Sequence, residues 1–177
     1  MNKRFAVVAL AAALGGCGGG SGGGTGPLGT GGWDGTKACD TLKQADVEAV
    51  TGQKSEPGKL DGVNDGTNGG AKTSLCTYNL ADGRAVTFLS RVSEGEDLGR
   101  AVAEMKNPPA GMSMGKQEDV AGVGKAALWN EATHQLQFWL DGDHLGILGI
   151  MRGDYAKDPD LSTAKAQATA LAHKLGG

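Results

Sequence analysis

Several groups of residues have the types and spacing that chemistry requires. Gly111-Met112-Ser113-Met114-Gly115 matches the Gly-x-Ser-x-Gly nucleophile elbow, and Asp141 or Asp143 followed by His144 or His173 continues in the hydrolase order of serine, acid, histidine. That elbow depends on a sharp turn between a buried strand and a helix, which exposes the hydroxyl beside backbone donors. Here Pro108-Pro109 precedes the serine and Lys116-Gln117-Glu118-Asp119 follows it, so a surface loop is the expectation and a small serine hydrolase using Ser113 the lesser alternative. Gly122-Val123-Gly124-Lys125-Ala126-Ala127 matches a dinucleotide fingerprint, but such a pyrophosphate sits on a helix N-terminus and a strand pattern follows here. These glycines are expected to make turns. Asp141, Asp143 and His144, with His134 across a hairpin, are candidate metal ligands, and a solvated Asp-Gly turn is the competing reading. A calcium loop from Asp61 fails, because Val63 stands where an oxygen ligand is needed and Lys72 where the bidentate Glu belongs. No catalytic residue and no cofactor are assigned.

The N-terminus is more specific. Asn2-Lys3-Arg4 is a charged segment, and residues 5–14 form an apolar run too short to span a bilayer comfortably, as in a secretion signal. Leu14-Gly15-Gly16-Cys17 resembles a bacterial lipobox. That resemblance implies cleavage before Cys17 and lipidation of its thiol, and more than one acyl chain gives stable anchoring. Gly18, rather than an acidic residue, implies export to the outer membrane, facing the periplasm, if the cell is Gram-negative.

The chain is thus divided into a signal peptide (1–16), a lipidated Cys17 with a flexible Gly-rich tether (17–35), and one globular domain (36–177). A net charge of −3 with interspersed signs gives no basic stripe for nucleic acid. Cys39 and Cys76 are the remaining cysteines, and in an oxidising envelope they are expected to form a disulfide, stabilising the fold by about 4 kcal/mol in the chain-entropy model. Free or metal-binding thiols are disfavoured, because no Cys-x-x-Cys spacing or nearby His accompanies either residue.

Within the domain, Asp40–Val50 has helical spacing, with Asp40 or Thr41 to cap it and Gly52 to end it. Residues 54–72 read as a long mobile loop. Ser74–Leu80 and Arg84–Val92 read as strands joined by Ala81-Asp82-Gly83, with Cys76, Tyr78, Leu80, Val86 and Phe88 facing the core. Ser93-Glu94-Gly95-Glu96 looks like a capping box before a helix carrying Leu98, Ala101, Val102 and Met105, stopped at Asn107-Pro108-Pro109. After a loop over 110–119 come a strand at Ala126–Trp129 and a hairpin of His134–Leu140 with His144–Met151, apolar on both faces, which predicts cover on both sides. Gly146 and Gly149 are expected where a covering helix approaches closely. Asp158-Pro159-Asp160 opens a last helix with Leu161, Ala164, Ala168, Leu171 and Leu175 on one stripe. The result is an α+β domain with a mainly antiparallel sheet of about five strands, covered by about three helices.

The lipobox, the glycine tether, Cys39-x-x-Leu42, Asp46-Val47 ahead of Gly52, Cys76-x-Tyr78, Val120-Ala121-Gly122-Val123-Gly124-x-Ala126, the hydrophobic hairpin and the terminal helix together resemble bacterial envelope lipoproteins of unassigned function. That resemblance implies a disulfide-tied α/β/α sandwich similar to oxygen-evolving-complex subunit P. It also implies a membrane-anchored, non-enzymatic binding or accessory domain whose partner is an envelope protein, lipid or polymer. A periplasmic sensor of a small ligand or metal is the alternative.

Overall fold

The computed structural model describes residues 32–108, 115–152 and 161–176. Among these, four helices and seven strands follow one another: α1 (Ala38–Thr41), α2 (Gln44–Thr51), β1 (Lys59–Asn64), β2 (Lys72–Asn79), β3 (Arg84–Val92), α3 (Leu98–Lys106), β4 (Gln117–Asp119), β5 (Ala126–Asn130), β6 (Gln135–Trp139), β7 (His144–Arg152) and α4 (Leu161–Lys174). One sheet takes the order β1-β2-β3-β7-β6-β5-β4, with every neighbouring pair antiparallel. Two meanders therefore meet at β3 and β7. The α+β class and the antiparallel sheet are as expected, but the counts are higher.

The extra strands come from segments expected to be loops. Every residue of β1 is exposed, and β4 is a three-residue edge bearing Glu118 and Asp119. Backbone pairing alone makes them strands, so no buried side chain leaves an alternating signal. The extra helix arises because the expected Asp40–Val50 helix breaks. Leu42 is fully buried with extended dihedrals, φ −88° and ψ 117°, and its carbonyl accepts the Tyr78 hydroxyl instead of a helical amide. Neither resulting helix has a side-chain N-cap, so Asp40 and Thr41 do not cap; Gly52 does end α2, in the left-handed region at φ 67°.

Cover lies on both faces of the central hairpin. On one, Cys76, Tyr78, Val86, Phe88, Leu136, Phe138, Leu148 and Ile150 form a core with Leu42 and Val47, with Ala164, Ala168 and Leu171 of α4, and with Leu175 just beyond it. On the other, Leu98, Val102 and Met105 of α3 pack on Leu128, Trp139 and Leu145. The cap of α3 is Asp97, whose Oδ1 accepts the Arg100 amide at 2.8 Å. Ser93 and Glu96 do meet, at 2.9 Å, but in the approach to the helix rather than as its capping box. Asn107 is the C-cap of α3. The Asp158-Pro159-Asp160 opening of the last helix lies outside the described residues.

The disulfide joins Cys39 to Cys76, Cα atoms 5.1 Å apart, and ties α1 to β2 across a separation of 37 residues. Trp33, within the stretch expected to be tether, packs back onto the domain: it is 6% exposed, with its ring 5.5 Å from that of Phe88 and 6.1 Å from that of Phe138, both edge-on. Residues 33–37 form a strap over the sheet. Ser74 Oγ donates to the Gly35 carbonyl at 2.7 Å and accepts the Ala38 amide at 2.9 Å, and Gly35 has no room for a Cβ against the Lys72 carbonyl.

Gly146 and Gly149 are tight positions, but no helix sits among their nearest neighbours. A Cβ at Gly146 would meet the Phe138 ring from the paired strand β6, and one at Gly149 would lie 2.6 Å from Thr87 Oγ1. Gly146→Val should therefore destabilise the protein by about 2 kcal/mol or more through overpacking, and Phe138→Leu in the same chain should recover part of that loss in urea unfolding. If Gly146→Val unfolds at the wild-type midpoint, the ring does not occupy that space. Replacing Cys39 and Cys76 together by Ala should cost about 4 kcal/mol by the loop-entropy relation, read in the same experiment.

Candidate functional site

One end of the sheet gathers most of the polar residues singled out by type. Lys72, Val92 and His144 lie side by side across β2, β3 and β7. Above this row stand the β1–β2 turn, the segment leading from β3 to α3, and the β6–β7 turn. Each is shaped by local hydrogen bonding. Asn64 Oδ1 accepts the Gly66 amide at 3.0 Å and Asp65 Oδ1 the Thr67 amide at 3.1 Å, two short-range bonds of the kind that nucleate turns. Asp143 fastens the β3–α3 segment, its carbonyl accepting the Ser93 amide and its carboxylate the Gly95 amide, both at 2.9 Å.

Between the β1–β2 turn and the end of β3 is a hollow of about 420 Å³, lined by Gly66, Gly69, Gly70, Ala71, Lys72, Val92, Ser93 and Glu94. Its size suits a small molecule or the head of a larger one. Its lining includes one residue of each charge, Lys72 and Glu94. Gly66 takes φ 75°, and a Cβ there would lie 2.7 Å from the Gly70 carbonyl, so the turn keeps its shape only with glycine at this position. Ser93 Oγ donates to Glu96 Oε2 at 2.9 Å, and Arg91 Nη1 donates to the same oxygen at 2.7 Å, so this wall is held by an ion pair.

Beside the hollow, the candidate ligands Asp141, Asp143 and His144 fall on one turn. Asp141 Oδ1 accepts the amides of Asp143 and His144, each at 2.8 Å, and its carboxylate meets His144 Nδ1 at 2.8 and 3.0 Å. Burial pushes the Asp141 carboxyl up, but the bonds from the imidazole and the two amides outweigh it and hold the group below the usual carboxylate range. The turn is therefore closed by the Asp141 side chain. Gly142 serves it differently from a left-handed Asp-Gly turn: a Cβ there would lie 2.8 Å from the Glu96 carbonyl.

An imidazole whose Nδ1 is held by a carboxylate is oriented for acid–base work. Here the Trp33 ring stands edge-on to His144 at 6.4 Å, and His144 is one wall of the strap's seat. His134 is not brought to this turn. It pairs with Ile150, whose amide its carbonyl accepts at 3.5 Å, six residues along β7 from His144 and so roughly 20 Å away. No group of three or more His, Cys, Asp or Glu side chains is placed to hold a metal among the described residues.

The remaining candidates separate further. Gly111 to Met114, with Ser113, lies outside the described residues. Gly122 and Gly124 make the turn into β5 at φ 80° and 55°, and a Cβ at Gly124 would fall on the Trp139 carbonyl. His173 occupies the last turn of α4. Asp61 pairs with Lys59 at 3.2 Å, and the side chains of Asn64 and Asp65 turn onto neighbouring amides, so these oxygens do not converge as calcium ligands. Sequence reasoning missed Lys72, Ser93 and Glu94 as residues lining one hollow; the one available signal was the density of glycine over residues 66–70.

The depressed Asp141 pKa has a sign that can be tested. Above the unfolded pKa the carboxylate is charged in both states and its bonds favour the fold; as pH falls through the lower folded pKa that contribution is lost. The Asp141 side chain is 38% exposed, so after solvent screening Asp141→Asn should cost about 1 kcal/mol at pH 7, the difference closing in acid as the carboxylate is protonated. A difference that is absent at pH 7, or that persists undiminished in acid, would show that the turn is held by something else. Trp33→Ala should cost about 3 kcal/mol in urea unfolding at neutral pH. No protein-family model, curated protein sequence or solved structure matches this chain significantly.

Proposed function

We propose that this chain is a lipid-anchored protein of a bacterial cell envelope, whose folded domain is a binding or accessory module rather than an enzyme. The observation that carries the reading is the physical continuity between the N-terminal segment and the core. The glycine-rich stretch after Cys17 runs into Trp33, which is buried, and six residues later the chain is bound covalently to the sheet through Cys39 and Cys76. A disulfide inside the fold suits an oxidising compartment. A membrane anchor on Cys17 would pull on the domain at its best-secured point.

The layering supports the sandwich reading as well. With α1, α2 and α4 on one face and α3 on the other, the domain is read as an α/β/α sandwich similar to oxygen-evolving-complex subunit P. The hollow between Lys72 and Glu94 favours a small polar ligand carrying both charges as the molecule bound, which joins the accessory reading to that of a ligand sensor. His144, bonded to Asp141 and set against Trp33, is assigned a structural part.

Metabolic labelling with an alkyne-bearing fatty acid in a bacterial host should mark the chain at Cys17, and Cys17→Ser should abolish both label and membrane retention. A mature chain that starts elsewhere and carries no acyl group would sink the anchor. For the hollow, native mass spectrometry of the membrane-extracted chain should show a bound small polar molecule whose occupancy falls about tenfold in Lys72→Ala or Glu94→Ala, as expected for loss of one charge-assisted contact. Unchanged occupancy would place the ligand elsewhere.

A further inference from the structure

β1 is an open edge of the sheet: it pairs with β2 on one side, and every one of its residues is exposed. Leu60, at 44%, and Val63, at 55%, are the large hydrophobics most exposed among the described residues. An open edge can accept another strand, and natural edges are guarded with charges and bulges. β1 has both guards. Lys59 and Asp61 flank Leu60 and pair at 3.2 Å, and the ladder with β2 slips between Asp61 and Asn64, where Gly62 takes φ 59°.

The charges leave one opening. Let a second copy of β1 lie antiparallel on the first, related by a two-fold axis normal to the sheet, so that the helical layer continues on the same side. Such an axis sets one residue opposite its own copy. Centred on Lys59 it opposes two ammonium groups, and centred on Asp61 it opposes two carboxylates, both unfavourable when directly across strands. Centred on Leu60, it sets Lys59 against Asp61 twice and buries Leu60 on Leu60. The same register brings Val63 toward the exposed Pro57 of the other copy, covering the second exposed hydrophobic as well.

We propose that β1 is a homotypic docking edge, through which two copies of this chain join their sheets in the Leu60-centred register. The bulge at Gly62 ends the ladder after a few residues. A ladder of a few residues with one central apolar pair is a small interface, so the pairing is reversible and follows local concentration. It stands independently of the anchor and of the ligand hollow.

The test traps the pairing covalently in the full chain. Leu60→Cys should give, on mild oxidation, a dimer whose 60–60 linked peptide is found by mass spectrometry, opposed Cα atoms across an antiparallel ladder being close enough for a disulfide. In that background Lys59→Asp alone or Asp61→Lys alone should lower the yield about tenfold by making both cross-strand pairs repulsive, and the two together should restore it. Val63→Cys should not link to itself, since the same axis holds the two copies of that position roughly 20 Å apart. A 60–60 product of equal yield in all charge variants, equal linkage at position 63, a product joining position 60 to a different protein, or no product overturns the proposal.

Discussion

The close approach of the Phe138 ring to Gly146 is the contact on which the rest of the structure depends. β6 and β7 are neighbouring strands at the inner end of the second meander, and β7 is also the seam to the first, so their shared surface lies near the centre of the sheet. With no Cβ at Gly146, the ring settles into the space between strands. It then presents an edge-to-face surface to Trp33, which also meets Phe88 on β3 and His144 at the start of β7. Three strands are thereby bound to the strap by one aromatic cluster.

The strap matters because it is the point where the chain enters the fold. Trp33 supplies the apolar contact, Ser74 satisfies the backbone of Gly35 and Ala38, and the disulfide follows within a few residues. These act on different parts of the problem. Burial favours the docked state, the hydrogen bonds remove the penalty of bringing backbone under cover, and the cross-link lowers the entropy of the unfolded chain. Tyr78 completes this corner by taking the Leu42 carbonyl, left over where α1 gives way to α2. Burial pushes the Tyr78 hydroxyl up to about 12, helped by the negative charges of Asp40 and Asp46, so it stays a donor at any physiological pH.

At the rim the determining forces change from packing to turn chemistry. Asp141, Asp143, Asn64 and Asp65 spend their side-chain oxygens on nearby amides, and these bonds place the turns that wall the hollow. Such residues look like ligand donors in a list and behave as turn builders in space, since a carboxylate already accepting several N–H bonds has little left for a metal. The charged groups that line the hollow, Lys72 and Glu94, come from positions separated by a whole hairpin.

Periodicity carried much of this fold in plain view. Cys76, Tyr78, Val86 and Phe88 had to share one face of their strands and Leu98, Val102 and Met105 one side of a helix, because alternation and helical spacing leave a residue no other side to occupy; that the two sets pack in separate clusters only the structure decides. The turns at Gly83 and Gly124 were legible for the same local reason, a backbone geometry that glycine adopts most readily. The edge strands β1 and β4 were not, since a strand buried on neither face has no pattern to betray it. Nor was the break at Leu42, which depends on a hydroxyl 36 residues away. The separation of His134 from His144, the ring of Phe138 over Gly146 and the meeting of Lys72 and Glu94 around one hollow were decided by the register of strand on strand. Register is a property of pairs of segments, and no single segment encodes it.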